Sequence, residues 1–228
     1  MDVRRAIRPV AGLGESPVFP AAALIASAGL YADLPTRFIS GAGGGSFQVI
    51  RWIVPALTLL VVASLGLMPV RGMFTRRRLV IGTIAIVSAA NIASIVLLIH
   101  FLVNGAIKGP GHAHELLLAA VHMWAVNVLL FALWYWQHDG GGPLARPSCP
   151  PARRDFLFPQ QLEPIFAETG WSPLFLDYLY VSFTNSTAFS PTDTMPLSRW
   201  AKMLMLVQSA ISLALAVMVV ARAVNILN

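Results

Sequence analysis

Two groups of residues in this chain have types and spacings that could do chemistry. The first is the polar run Thr184, Asn185, Ser186 and Thr187, followed by Ser190, Pro191, Thr192 and Asp193, set between two apolar stretches. Hydroxyls, free carbonyls and a carboxylate are ligands for a hard cation, and a short helix ending among them adds the negative end of its dipole. Pro191 halts a helix there and biases Ser190 away from helical angles. The second group is His112, His114, Glu115 and His122. Imidazoles and a carboxylate suit a transition metal, and Glu115 and His122, seven positions apart, share a helical face. An interfacial loop leading into an acidic first helical turn accounts for the same residues. The metal site is the weaker candidate and no cofactor is expected. Neither a nucleophile–base pair nor a phosphate-binding loop points to an enzyme.

The elements that must position these groups are membrane helices. Of the 228 residues, 57% are hydrophobic and 11% charged, against about 25% charged in soluble domains. The charge is missing from long runs, which predict an all-α polytopic bundle of about five transmembrane helices: Phe19–Leu34, Ile53–Met68, Leu79–Val103, Glu115–Trp136 and Met203–Ala221. Ala26-Ser27-Ala28 has signal-peptidase spacing, but the first run is expected to stay as a span. Residues 1–136 form the amino-terminal membrane region and 137–172 a polar, Pro-rich loop. Residues 173–228 hold a short helix over Pro173–Ala188, a Ser-Pro-Thr-Asp break and the last span. Cys149 is the only cysteine, so no intrachain disulfide forms.

Loop arginines set the orientation. With Arg76–Arg78 inside, the inner segments hold Arg4, Arg5, Arg8, Arg71, Arg76, Arg77, Arg78, Arg146, Arg153 and Arg154. That is ten basic residues against Arg37 and Lys108 outside. The net charge of +6 is thus a topology signal and not a nucleic-acid footprint. Loop 137–172 is expected in the cytoplasm. The stretch 173–193 carries Asp177 and four consecutive hydroxyl or amide residues, and a charged residue at mid-bilayer costs about 2.5–3.5 kcal/mol. Re-entry from the cytoplasmic side is therefore expected in preference to a full crossing. On the last helix Gln208, Ser212 and Arg222 lie close to one line. This stripe either lines a wet path or forms a packing seam, because Ala210/Ala214 and Ser212/Ala216 are small pairs that let helices approach. Packing is the stronger of the two readings.

Thr187, Asp193, Pro196, Trp200 and Lys202 stand at a spacing that resembles the potassium-channel pore. That family has a threonine entering the filter, an aspartate after it, and then a proline, a tryptophan and a basic residue opening the inner helix. The resemblance covers the last quarter of the chain and implies a cation pore in an oligomer. It departs in the filter: Ala188-Phe189-Ser190-Pro191-Thr192 replaces Thr-Val-Gly-Tyr-Gly, without the glycines that let successive carbonyls face the ion. Those channels also insert the loop from outside. A second resemblance rests on Phe158-Pro159, Asp177–Thr184 and Ala223–Ile226, together with the Arg-rich loop. It is to a bacterial inner-membrane family of unknown function and implies architecture and location without an activity.

These readings lead to one expectation. The chain is a multi-pass inner-membrane protein carrying a channel-like or transport-related pore module with a degenerate filter. Thr184, Asn185, Thr187, Ser190, Thr192 and Asp193 form its constriction, and Gln208 and Ser212 its lining helix. Its partners would be the lipid bilayer, further copies of itself and monovalent cations, and no nucleic acid. The alternatives are a non-conducting scaffold and, behind it, a metalloprotein using His112, His114 and His122.

Overall fold

The structure is a computed structural model. It describes residues 16–33, 52, 55–60, 62–63, 73–103, 110–150, 153–162, 165, 171–187 and 193–227; at 73–76, 101–103, 110–116, 148 and 221–227 only the backbone is described. Half of the expected second span falls outside these residues, and the described half is helical at 55–60 and 62–63.

Five longer helices carry the described structure: α1 (Val18–Ala32), α2 (Met73–Val103), α3 (Pro110–His138), α4 (Phe175–Thr187) and α5 (Arg199–Leu227). Three contain stretches long and apolar enough to cross a membrane, Arg77–His100, Leu117–Gly141 and Arg199–Val220. At 1.5 Å per residue each exceeds the roughly 30 Å of a hydrocarbon core. The chain is therefore a mostly helical membrane protein. α1 is apolar but has only 15 residues. α3 starts at Pro110, inside the expected Gly/Pro loop, because proline fits the first helical position, where its missing N–H costs nothing.

α3 is the axis, packing against α1, α2, α4 and α5. Its stretch 126–128 and 130–133 is buried on every face, as expected of a helix with neighbours all round. α2 and α5 instead bury one stripe. On α2 it runs through Ile84, Val87, Asn91, Ile95 and Leu98, at the three-to-four-residue spacing of one helical face.

Side-chain contacts fix the direction of each helix. Arg77 at the start of α2 donates to the Gln137 carbonyl at the end of α3, 3.4 Å away. Trp200 at the start of α5 lies 5.5 Å from the His138 ring, and Phe175 at the start of α4 lies 6.1 Å from Trp136. α2, α4 and α5 therefore set out from one end, and α3 arrives there. At the opposite end His122 meets Asp33 at 3.2 Å, and the hydroxyls of Tyr31 and Ser94 meet at 3.0 Å.

At the first end two short strands pair antiparallel, β1 (Phe156–Leu157) and β2 (Met195–Pro196), with Phe156 opposite Pro196. The Leu197 N–H extends this ladder to the Asp155 carbonyl at 2.8 Å. Pro196 fits because a two-strand ribbon has only edges, where a missing donor is tolerated. α4 leaves this end, runs about 20 Å and stops beside the middle of α3, where Phe183 packs on Trp124 at 5.8 Å. By Met195 the chain is back at the end from which α4 set out. α5 starts at this end and runs for 29 residues, so a reporter fused after Asn228 is expected on the opposite side of the membrane from one inserted at Ala145. Two reporters on the same side would contradict this path.

Candidate functional site

The polar centre of the molecule begins where α3 ends. Gly140, Gly141 and Gly142 take φ of 60°, 85° and 97°, angles that other residues adopt at a cost. At Gly142 a Cβ would also come within 2.9 Å of the Gln137 carbonyl oxygen. This reversal folds Arg146 back beneath α3. Its guanidinium donates to the carbonyls of Trp136 and Asp139, the latter at 3.4 Å, and to Pro173, just before α4, at 3.1 Å. The first two carbonyls belong to the end of α3, where a helix has no internal donors left and its dipole favours a cation. Arg146 is 2% exposed.

Asp139 is wholly buried, and donors from three elements converge on its carboxylate. Oδ1 accepts the backbone N–H groups of Asp155 and Phe156 at 2.8 and 3.2 Å, and Oδ2 accepts the Tyr178 hydroxyl of α4 at 2.6 Å. Arg146 and Arg154 complete the surround with ion pairs at 3.6 and 3.8 Å. The Arg146 guanidinium also lies 4.7 Å over the Tyr178 ring, a cation–π contact. Burial holds the Tyr178 phenol well above its ordinary range, opposed by Arg146 and Arg154 and assisted by Asp139, so it remains a donor at neutral pH. Phe156 and Phe158 pack edge-on against that ring at 6.1 and 5.4 Å and exclude water. A buried carboxylate so enclosed is a fastener. It binds the end of α3, the 139–158 loop, β1 and α4 into one body.

Midway along α4 lies a second polar layer. The Gln208 amide of α5 donates to the Ser182 carbonyl at 2.9 Å and the Ser186 hydroxyl at 2.7 Å. Its oxygen accepts from the Tyr135 hydroxyl at 2.5 Å and the Asn185 amide at 2.9 Å. Ser182 in turn donates to the Val128 carbonyl of α3 at 2.7 Å, and one turn deeper Asn127 donates to Ser212 at 3.3 Å. Every hydrogen-bonding group of the Gln208 amide is used, as a buried amide requires.

Asn185 and Gln208 are thus brought together inside the helix packing, and Ser212, one turn along α5 from Gln208, is buried against Asn127 of α3. Thr184 and Thr187 lie on the outer side of α4 and donate back to Tyr180 and Phe183 carbonyls of their own helix, at 2.9 and 3.0 Å. Asp193 is exposed at the basic end, two residues before β2. Ser190 and Thr192, and the side chains of His112 and His114, lie outside the described residues. His122 pairs with Asp33, and among the described residues no three metal-ligating side chains come together. The residues absent from the candidates read from sequence are Asp139, Arg146, Arg154 and Tyr178. The available signal was an Asp followed at once by three glycines at a helix end, with three arginines beyond. No protein-family model, curated protein or solved structure matches the chain.

Removing one partner from a buried ion pair costs about 3–5 kcal/mol, and removing a satisfied hydroxyl about 1–2 kcal/mol. Asp139→Ala is expected to lower stability in detergent by the first amount and Tyr178→Phe by the second. The Tyr178→Phe loss should shrink once Asp139 is gone, because the two act as one network. Circular-dichroism melts of the two single variants and the double variant test this.

Asp177 accepts the Leu174 N–H at 2.7 Å at the start of α4. Burial raises its carboxyl above the usual range, and the Leu174 and Asp177 N–H groups and Arg146 only partly offset that. A raised folded-state value means a stabilising contribution that is full below the unfolded pKa and lost as pH rises through the folded one. Asp177→Asn keeps the acceptor and is expected to stabilise the protein at neutral pH and flatten its acid-side pH dependence. A pH–melting series on both proteins measures this.

Proposed function

We propose that the protein is a five-span inner-membrane protein whose carboxyl-terminal part is a pore-like, transport-related module of a homo-oligomer. The observation that carries this reading is where the chain stands at 175–187 and again at 193–195. α4 enters the bundle from the basic end and stops half-way along α3, and the chain is back at its starting end at β2 before α5 begins. A helix of about 20 Å falls short of the roughly 30 Å hydrocarbon core, so this segment is re-entrant. By the positive-inside rule it enters from the cytoplasm. Its carbonyl end, the hydroxyls of Thr184 and Thr187, Ser190 and Thr192 beyond them, and Asp193 at the mouth would face a monovalent cation. The outer face of α4, with Tyr180 and Phe183 about half exposed, would be completed by another copy. The order of short helix, return and long helix fits the frame Thr187, Asp193, Pro196, Trp200 and Lys202 that resembles a potassium-channel pore.

The second reading is a non-conducting scaffold. It is favoured by the Gln208 layer, whose amide finds all its partners within one chain and needs no wet path. Flux separates the two. Purified protein in liposomes is expected to pass K⁺ or Na⁺ under a gradient, and Asp193→Asn to reduce that flux. Liposomes that pass no K⁺, Na⁺ or H⁺ would decide for the scaffold.

A further inference from the structure

The charges are sorted to one end of the bundle. Among the described residues, exposed Arg77 and Arg78 open α2, Arg153 lies in the loop, and Arg199 and Lys202 open α5, whereas Asp193 is the one exposed acid beside them. Asp139 and its two arginines are consumed internally, and with the half-exposed Asp155 and Asp177 counted beside Asp193 the five exposed cations still stand in excess of three acids among the described residues. Interleaved with them are apolar side chains that belong to none of the three membrane-crossing stretches. Leu144, Leu162, Leu174, Met195 and Leu197 are between 42% and 62% exposed. Trp200, half exposed, packs on His138, which also stacks on Trp134 at 5.1 Å, while the Trp134 indole N–H is held by Ser88 at 3.0 Å. This indole–imidazole stack is thereby fixed in place beside Arg77, whose guanidinium is pinned to the end of α3.

Cations alternating with hydrocarbon, and amphipathic rings at the same level, match the layer where phosphate headgroups meet acyl chains. Water alone would leave the leucines unburied, and a neutral headgroup would leave the positive excess unanswered. We propose that this end of the bundle is a collar that binds the headgroups of anionic phospholipids. The phosphates would lie on Arg77, Arg78, Arg199 and Lys202, and Leu144, Leu197 and Trp200 would enter the chain region below them. The inference rests on the membrane reading but not on conduction.

The test is native mass spectrometry of the full-length protein in detergent, titrated with phosphatidylglycerol or phosphatidylcholine. Phosphatidylglycerol is expected to bind more tightly. Arg77→Gln with Arg78→Gln, and separately Arg199→Gln with Lys202→Gln, should each reduce that preference by roughly fivefold per charge removed. Arg78, Arg199 and Lys202 are exposed and Arg77 gives up a single long hydrogen bond to Gln137, so unchanged circular dichroism should accompany the loss. Equal affinity for the two lipids, or a preference that survives all four substitutions, would overturn the proposal. Displacement of the bound lipid by inorganic phosphate would assign the collar to a free anion instead. Because no ion gradient is involved, the result is independent of whether the protein conducts.

Discussion

The structure depends on a single carboxylate held out of water. An ionised Asp139 with no exposure would carry a penalty of several kcal/mol if its surroundings did not answer it. The fold answers with two backbone N–H groups, a phenol and two guanidinium groups drawn from three separate stretches of chain, at 146, 154–156 and 178. Each of those stretches is thereby located. α4 starts where it does because Tyr178 must reach Asp139 and Pro173 must offer its carbonyl to Arg146. β1 lies under α3 because Asp155 and Phe156 donate to the same carboxylate, and β2, with the start of α5, follows from pairing with β1. The ionic cluster gives position more than net stability, since a buried ion pair roughly balances its own desolvation.

The second constraint follows from the first. Once α4 is fastened at its base, its 13 residues place polar side chains half-way along α3, where neither water nor headgroups are at hand. An unsatisfied amide or hydroxyl there is costly. Gln208 resolves this by serving α4 and α3 from α5, taking the Tyr135 hydroxyl and Asn185 amide on its oxygen and giving its N–H groups to Ser182 and Ser186. The layer therefore fixes the depth and rotation of α4 relative to α5. Thr184 and Thr187 solve the problem within their own helix by bonding to the preceding turn, which leaves their oxygens available on the outer side.

The helices were largely legible in the sequence because hydrophobic runs and helix breakers are local signals. Three of the expected long stretches, and the short helix ending near Thr187, emerge within six residues of their expected limits. The link between Asn185 and Gln208 was not legible as a contact, because their partnership depends on two helices meeting in register across 23 positions. The Asp139 cluster was further from view. Nothing in the composition of 137–172 shows that two of its three arginines, Arg146 and Arg154, turn inward, since a buried arginine and a cytoplasmic one look alike when counted. The arginine count still points to the same end, because Arg146 and Arg154 lie there whether they face a carboxylate or water.

That coincidence bears on the conflict between the arginine bias and the resemblance to a potassium-channel pore, whose loop enters from outside. α4 cannot be reassigned to the opposite end by itself. Its base is tied by Tyr178 and Pro173 to the same Asp139 and Arg146 that close α3, and Arg77 is tied to Gln137 one turn away. Reversing the entry side means reversing the whole bundle. That would carry Arg77, Arg78, Arg153, Arg199 and Lys202 to the side that loop arginines avoid. The interactions that hold the short helix therefore also set its direction. In the pore reading the module is entered from the cytoplasm, with Asp193 at that mouth.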